Sequence, residues 1–340
     1  MWFMHNQSDT LVIGGTGLVG SHLLWLLAQQ GPVVASGRTG KNRERVRQLF
    51  LLYDPKTGDD VFKRIEWITL DILNIDQLAL SLNGMRKVYH CAALVSFHRI
   101  DFYRCIQINR EGTANVVNAC LDVPDVRLCY VSSTAAVGQN PGGEITEACL
   151  WKSSDMNSGY SVAKFGAEKE VWRGMEEGLN AVIINPCTVI GAGQWEEGSM
   201  EMFDVAHKGL LFYPSGANAT VDARDVAKSM LFLMDSGIRD ERFLCTGTNK
   251  DFRGLFSTIS KAMGKKGPRI YAPEWLAIPV SYLLETTALL LNKRKGMTIE
   301  SARAAYATRV YNSDKLKSLL DAPFYSLEES IQHAIKNRLR

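Results

Sequence analysis

Leu11-Val-Ile-Gly-Gly-Thr-Gly-Leu-Val-Gly20 decides how the chain is read. Three apolar residues run into a glycine-rich turn, and Leu18, Val19, Leu23, Leu26 and Leu27 then recur at helical spacing as far as Gly31. That order is strand, tight turn and helix, closed by a glycine C-cap. The turn satisfies G-x-x-G-x-x-G and, from Gly15, G-x-G-x-x-G. Small residues at Gly14, Thr16 and Gly17 let the backbone approach a pyrophosphate, while free amides around Leu18 and Val19, at the positive end of the helix, favour its charge. The stretch predicts a dinucleotide site rather than a plain turn.

The same alternation recurs along the chain. Apolar strand runs at 33–35, 65–70, 88–92, 126–132 and 181–184 alternate with helical stretches at 41–53, 75–82, 102–121 and 158–177. Repeated β–α order with buried-type strands predicts an α/β fold, a Rossmann doubly wound parallel sheet. After Pro186 glycines and prolines break the pattern, and regular structure is expected to return as a helix over 221–234 and a strand over 242–245 that rejoins the sheet. The expected division is an NAD(P)-binding Rossmann domain from 1–186 and 219–248, and a smaller, mostly helical C-terminal substrate lobe from 187–218 and 249–340. Residues 199–209 read as lobe core or pocket wall. The apolar run from Trp275 to Leu291 is interrupted by Pro279, Ser281 and Glu285, and reads as a buried helix rather than a pocket cover or a membrane-touching segment.

Composition narrows the partners. The 340 residues are 46% hydrophobic, enough for a sizeable core, and 39 Lys+Arg against 36 Asp+Glu give a net charge of +3. With no long basic block, there is no electrostatic basis for a nucleic-acid partner. Seven cysteines without a C-x-x-C pair, and with Cys91, Cys129 and Cys187 in or beside strand-like runs, oppose a disulfide framework and a zinc site. His22, His90 and His207 lack companions at ligand spacing, so no metal is expected. Met1 to Thr10 lacks the order of a signal peptide. A cytoplasmic protein with a small-molecule substrate and no membrane partner is the expectation.

The second strand ends Ala35-Ser-Gly-Arg38-Thr39, without the acid that commonly binds the adenosine ribose of NAD. Arg38, with Lys41 and Arg43 nearby, offers charged donors to a 2′-phosphate, which favours NADP(H) and leaves NAD(H) as the alternative. Asp71, at the end of the third strand, would meet the adenine amino group or cap a helix. Tyr160-Ser-Val-Ala-Lys164 puts a phenol and an ammonium on one helix face. A free tyrosine titrates near ~10, and an adjacent cation lowers that value toward useful proton transfer. The preceding strand ends Ser132-Ser133-Thr134, where a hydroxyl would hold a substrate oxygen.

With these motifs the chain resembles the extended short-chain dehydrogenases/reductases, also called the NAD-dependent epimerase/dehydratase family, over most of its length. The resemblance rests on Ile13 to Gly20, His90-Cys-Ala-Ala93, Asn109-Arg-Glu-Gly-Thr-Ala-Asn115, Val131-Ser-Ser-Thr134, Tyr160 and Lys164, Asn185-Pro-Cys-Thr-Val-Ile-Gly191, and Val221-Asp-Ala-Arg-Asp-Val-Ala227. It implies Tyr160 as the catalytic acid/base, Lys164 as its supporting ribose ligand and Thr134 as the substrate-orienting hydroxyl. It extends the cofactor contacts to Ile72, Ala92, Ala93, Asn109, Val131, Pro186 and Val189, and implies a homodimer. The ending of strand two and the segment from Val221 look most like the dihydroflavonol-4-reductase-like branch, with 3β-hydroxysteroid dehydrogenases close by. An NADP(H)-dependent oxidoreductase acting on a carbonyl/alcohol pair is therefore expected. A nucleotide-sugar epimerase or dehydratase with tightly bound NAD, and a cofactor-sensing binding protein, are the alternatives.

Three positions depart from the family pattern. Asn185 stands where the family commonly has arginine, Val137-Gly138 lacks a tyrosine between, and Ile13 replaces a frequent threonine. The second departure lets Ser133 compete with Thr134 for the hydroxyl role. Phe97, His98 and Gln194 follow strands at the edge where substrates bind, and are the candidate substrate contacts beside Thr134.

Overall fold

The strand runs are apolar at nearly every position, so both faces of the sheet they form must be covered. The computed structural model describes residues 8–37, 39–154, 157–290 and 298–339. Its first half runs β1 (Thr10–Ile13), α1 (Leu18–Gln30), β2 (Val33–Ser36), α2 (Gly40–Tyr53), α3 (Gly58–Phe62), β3 (Ile65–Ile68), α4 (Ile75–Leu82) and β4 (Lys87–His90). It continues with α5 (Phe102–Cys105), α6 (Gly112–Leu121), β5 (Arg127–Val131), α7 (Gly159–Glu176), β6 (Asn180–Pro186) and β7 (Thr188–Ile190). The remainder is α8 (Glu201–Lys208), β8 (Phe212–Tyr213), β9 (Ala217–Asp222), α9 (Ala223–Asp235), β10 (Glu241–Cys245), β11 (Thr248–Asp251) and α10 (Phe252–Ala262). The last elements are β12 (Ile270–Tyr271), α11 (Glu274–Leu290), α12 (Ile299–Tyr306), α13 (Asp314–Lys317) and α14 (Leu327–Lys336).

Seven strands form one sheet in the order β10-β6-β5-β4-β1-β2-β3, every pair parallel. Strand order reverses between β1 and β4, which opens a crevice beyond their carboxyl ends. Alternate residues divide between the faces. Val12, Ala35, Tyr89, Cys129 and Val182 join the core under α1 and α9, while Leu11, Val34, Val88, Leu128 and Ile183 join the core under α6 and α7. This is the Rossmann doubly wound sheet that the sequence predicts.

The first turn is set by close contact. Gly14 has φ +84°, and a Cβ there would lie 2.6 Å from Ala92 N; a Cβ on Gly20 would lie 2.3 Å from Gly14 O. Only glycine lets β1, α1 and the end of β4 approach in this way. Ser36 locks the turn further, its Oγ accepting from Gly14 N at 2.8 Å and its carbonyl from Gly15 N at 3.2 Å.

Two readings change. The segment over 221–234 is not helix throughout: β9 occupies 217–222, and α9 starts at Ala223 because Asp222 Oδ1 accepts from Arg224 N at 2.8 Å and caps it. Strand β9 forms a small second sheet with β7 and β11. Helix α11, expected to be buried, instead exposes Trp275 by 75% and Leu283 by 65%. Its buried residues are polar, because Glu285 Oε2 turns inward to accept from Ile299 N at 2.9 Å. Met200 and Phe203 in the 199–209 segment are buried in a third core with Leu255, Ile259 and Ile331, as lobe core should be. Among the described residues no helix is long and apolar enough to cross a membrane.

Gly20→Ala tests the turn directly. The added methyl meets backbone that cannot swing away, so chemical denaturation is expected to show a loss of about 1–3 kcal/mol. An unchanged midpoint would contradict the close packing.

Candidate active site

The carboxyl ends of β1, β4, β5 and β6 converge on the crevice. On its α1 side, Gly17 is the exposed N-cap of a 13-residue helix and supplies no side-chain cap, which leaves the first-turn amides of α1 available to an anion. Thr16, Leu18 and Val19 are half-buried beside it, Ala92 abuts Gly14, and Ala93 is exposed next to them. This cradle, which a Cβ at Gly14 would fill, fits the pyrophosphate of a dinucleotide. Ser36, at the end of β2, is committed to the turn and carries no acid toward a ribose.

The basic cluster beyond β2 is partly spent on structure. Arg43 donates through Nη2 to Gly37 O at 2.8 Å and to Thr69 Oγ1 at 3.2 Å, and its guanidinium lies over Trp67. Lys41 is exposed, and Arg38 lies outside the described residues. Asp71 is exposed and is not the helix cap, a role taken by Asn74; its Oδ1 accepts from Leu73 N at 3.0 Å. Ile72 is buried against Gly112.

Asn109, expected to touch cofactor, is 1% exposed and holds the loop after β4 instead. Its Oδ1 accepts from Leu94 N at 2.8 Å and its Nδ2 donates to Leu94 O at 2.9 Å. A π-helical stretch, Ile106–Glu111, turns the side chain that way, and thereby fixes the segment that carries Ala93.

At the other end of the crevice, Ser158 caps α7, its Oγ accepting from Ser161 N at 3.0 Å. Tyr160 and Lys164 occupy the first two turns of that helix. The Ser133 side chain lies close enough to the Tyr160 hydroxyl to oppose its upward shift, while Thr134 does the same for Tyr311, which comes from the segment after α12. The two hydroxyls are thus divided: Ser133 lies by the Tyr160 phenol, and Thr134 by a buried tyrosine. Phe97, 38% exposed, sets its ring edge-on to Tyr160 with centroids 5.6 Å apart.

Lys164 does not reach Tyr160. Its Nζ donates to Tyr130 Oη at 2.9 Å and to Val131 O at 2.8 Å, and the residue is 1% exposed. Burial pulls its ammonium down to about 7, with Glu168 and Cys91 opposing. Tyr160 is pushed up to about 12, chiefly by burial, against the Ser133 hydrogen bond. The expected lowering of the phenol by the lysine is therefore absent from this geometry, because the ammonium is drawn back to β5. Behind it, Thr113 Oγ1 is 3.1 Å from His90 Nε2, the His90 and Tyr130 ring centroids are 5.3 Å apart, and His90 is pulled down to about 3 by burial and by Lys164.

The reacting end rests on a buried carboxylate that follows Lys164 by one turn. Glu168 accepts from Ser132 Oγ at 2.6 Å, Asn185 Nδ2 at 2.7 Å and Arg242 Nη1 at 2.9 Å. Asn185 also donates to Ser133 O at 3.0 Å. The cation that the resemblance places at 185 thus arrives from β10, at Arg242. The sequence reading passed over Glu168, which the i, i+4 series Tyr160, Lys164, Glu168, Trp172 could have pointed to; nothing pointed to Tyr311.

Pro186 ends β6 and Val189 lies in β7, where its carbonyl accepts from Ser199 Oγ at 2.6 Å. His98 is half-buried in the loop beyond Phe97. Gln194, expected at the substrate, sits in the segment that packs on the first turn of α1, where neighbouring Gly193 approaches Leu18 and accepts from Leu339 N at 3.1 Å. Trp195 is core, packed on Phe203 and under Arg338. No group of metal-holding side chains exists among the described residues.

The model of the NAD dependent epimerase/dehydratase family matches residues 10–245. A Synechocystis sp. protein provisionally named dihydroflavonol 4-reductase is 24% identical over 335 residues, 95% of this chain and 92% of its own. Sterol demethylase protein B of Methylococcus capsulatus is 27% identical over 276 residues, 81% of this chain and 80% of its own. The solved structure of gox2253 superposes with a TM-score of 0.78 at 25% identity, covering 97% of this chain and 98% of that one.

Lys164 loses its proton near 7 in the folded chain and near ~10.4 when unfolded. Between those values the unfolded chain binds more protons, so this residue makes stability rise with pH. Its burial cost is in full force below the folded value and is relieved toward the unfolded one. Lys164→Met should therefore gain stability over the wild type most below pH 7, and the gain should shrink as pH approaches ~10. Denaturant titrations across that range measure the difference; a gain independent of pH would refute the buried-ammonium assignment.

Proposed function

We propose that this chain, which belongs to the NAD dependent epimerase/dehydratase family, is an NADP(H)-dependent oxidoreductase that interconverts a carbonyl and an alcohol on a small molecule with an apolar body. The observation that carries the reading is the Tyr160 hydroxyl, with the Ser133 side chain beside it, at the same crevice as the uncapped start of α1. When bound, the dinucleotide would supply or accept hydride at its nicotinamide.

The chain's own part is to hold the substrate oxygen and move one proton. Ser133 Oγ and Tyr160 Oη together offer two hydroxyls to a carbonyl oxygen. Asn185 fixes the Ser133 backbone, and Glu168 fixes Asn185, so the first hydroxyl is preorganised. Tyr160, pushed up to about 12, is protonated at neutral pH and is suited to give its proton to an oxygen gaining charge. The resulting phenolate needs a cation, and Lys164 stands one turn along the same helix. Phe97 supplies an apolar wall beside Tyr160, which suits a ring-bearing or aliphatic substrate better than a highly hydrated one.

Cofactor preference follows charge. No acid stands from Ser36 to Thr39, and Lys41 and Arg43 follow at the start of α2. A 2′-phosphate would find attraction there rather than repulsion.

Ser133 takes the hydroxyl role that the resemblance gives Thr134, because Ser133 lies beside the Tyr160 hydroxyl and Thr134 beside Tyr311. Tyr160→Phe is expected to lower turnover by about 10²–10⁴-fold while NADPH affinity, measured by titration, stays within a few-fold. Ser133→Ala should cost about 10²–10³-fold and Thr134→Val much less. The reverse order in NADPH-oxidation assays against a carbonyl panel would return the role to Thr134.

A further inference from the structure

Helix α11 is built inside out. Ser281 and Glu285, one turn apart, are 0% and 4% exposed, while Leu276, Val280, Tyr282 and Leu284 are 43–48% exposed and Trp275 and Leu283 more so. Positions 276, 280, 283 and 284 repeat at helical spacing, so the apolar stripe is a single face. A helix apolar around most of its circumference ordinarily buries that surface.

The surface extends to the strand pair just before the helix. Phe212 and Ile270 are paired across β8 and β12, so their side chains share a face, and they are 52% and 46% exposed. The loop that enters β12 reads Lys265-Lys266-Gly-Pro-Arg269, and all three cations are exposed, as is Lys261 on α10. The outward acid of α11 is Glu274, in its first turn, where a carboxylate complements the helix end. Exposed apolar surface rimmed by charge marks a contact face.

We infer that this face of the lobe, α11 with β8 and β12, docks on an anionic lipid surface, with α11 lying in the plane of the headgroups. The rim of lysine and arginine chooses the occupant. Acidic headgroups complement it, and each cation near such a surface adds attraction that salt screens. A second copy would bring the same cations together across a two-fold axis. Trp275 and Tyr282 have the amphipathic rings that settle at headgroup level. The helix lies on the surface and does not cross it, since it is not long and apolar enough to span.

The inner side of the same helix leads toward the reacting end. Glu285 holds Ile299 N, and the next residue, Glu300, accepts from Gly159 N at 3.2 Å, directly before Tyr160. A docked lobe would thus sit beside the source of an apolar substrate. The docking itself does not depend on the proposed chemistry.

Co-sedimentation of the full chain with phosphatidylcholine vesicles, with and without about a third phosphatidylserine, tests this. The protein should pellet with the anionic vesicles and far less with the neutral ones. Trp275→Ser with Leu283→Ser, and separately Lys265→Glu with Lys266→Glu, should each weaken binding by roughly tenfold or more. All four side chains are exposed, so circular dichroism should be unchanged. Failure to pellet with anionic vesicles, or binding that both pairs leave intact, overturns the inference. So does a vesicle-free dimer that Trp275→Ser with Leu283→Ser converts to monomer, because a second copy would then cover the face.

Discussion

One buried charge holds the reacting end together. Glu168 is 2% exposed, and an unpaired carboxylate in such a place costs several kcal/mol. It is tolerable because donors converge on it from β5, β6 and β10, and because Trp172 Nε1 adds a longer contact at 3.4 Å from its own helix. Satisfying Glu168 therefore fixes α7 against three strands at once. Ser133 follows Ser132 and is held by Asn185; Lys164 precedes Glu168 by one turn. The relative placement of hydroxyl, phenol and ammonium is a consequence of how that carboxylate is paired. Arg242 also donates through Nε to Glu147 O at 3.0 Å, so the loop after the Ser133 turn is tied to the same charge.

Much of this was legible in the sequence because it obeys local rules. The glycine turn, the alternating β–α order and the Tyr160–Lys164 spacing each follow from steric or periodic constraints acting within about twenty residues. What the sequence withheld depends on contacts between distant segments. Tyr311 lies beside Thr134 although the two are far apart in the chain, and Ser133 is the hydroxyl beside Tyr160. Arg242 reaches Glu168 from a position 57 residues beyond Asn185, a contact that is visible only once β10 lies beside β6. Asn109 lies in a π-helical turn and spends its side chain on the backbone of Leu94, a partner that its motif does not announce. The helix expected over 221–234 begins late because Val221 belongs to a strand whose partners, β7 and β11, are too short to announce themselves.

The pairing of Tyr160 and Lys164 is also conditional in a way that spacing could not reveal. Lys164 spends its donors on Tyr130 and Val131, in a position where burial already weakens its hold on a proton. Tyr160 keeps its proton firmly. The site thus holds an acid ready to donate, and a lysine whose charge would be restored by anything that brings negative charge or hydrogen-bond acceptors into the crevice.

The lobe that faces this crevice resolves a different conflict. Rotating α11 by half a turn would bury Leu276, Val280 and Leu283, each worth roughly 1.5–3 kcal/mol when fully removed from water. The observed orientation gives that up and buries Ser281 and Glu285 instead. Glu285 is retained inward by Ile299 N, and Glu300 uses the start of α12 to reach Gly159 N, placing a carboxylate at the amino end of α7, where the helix dipole favours it. These polar contacts join the lobe to the helix that carries Tyr160, and they require α11 to face as it does. Folding alone does not reward the apolar stripe left outside, and it is this stripe that we infer to lie against lipid.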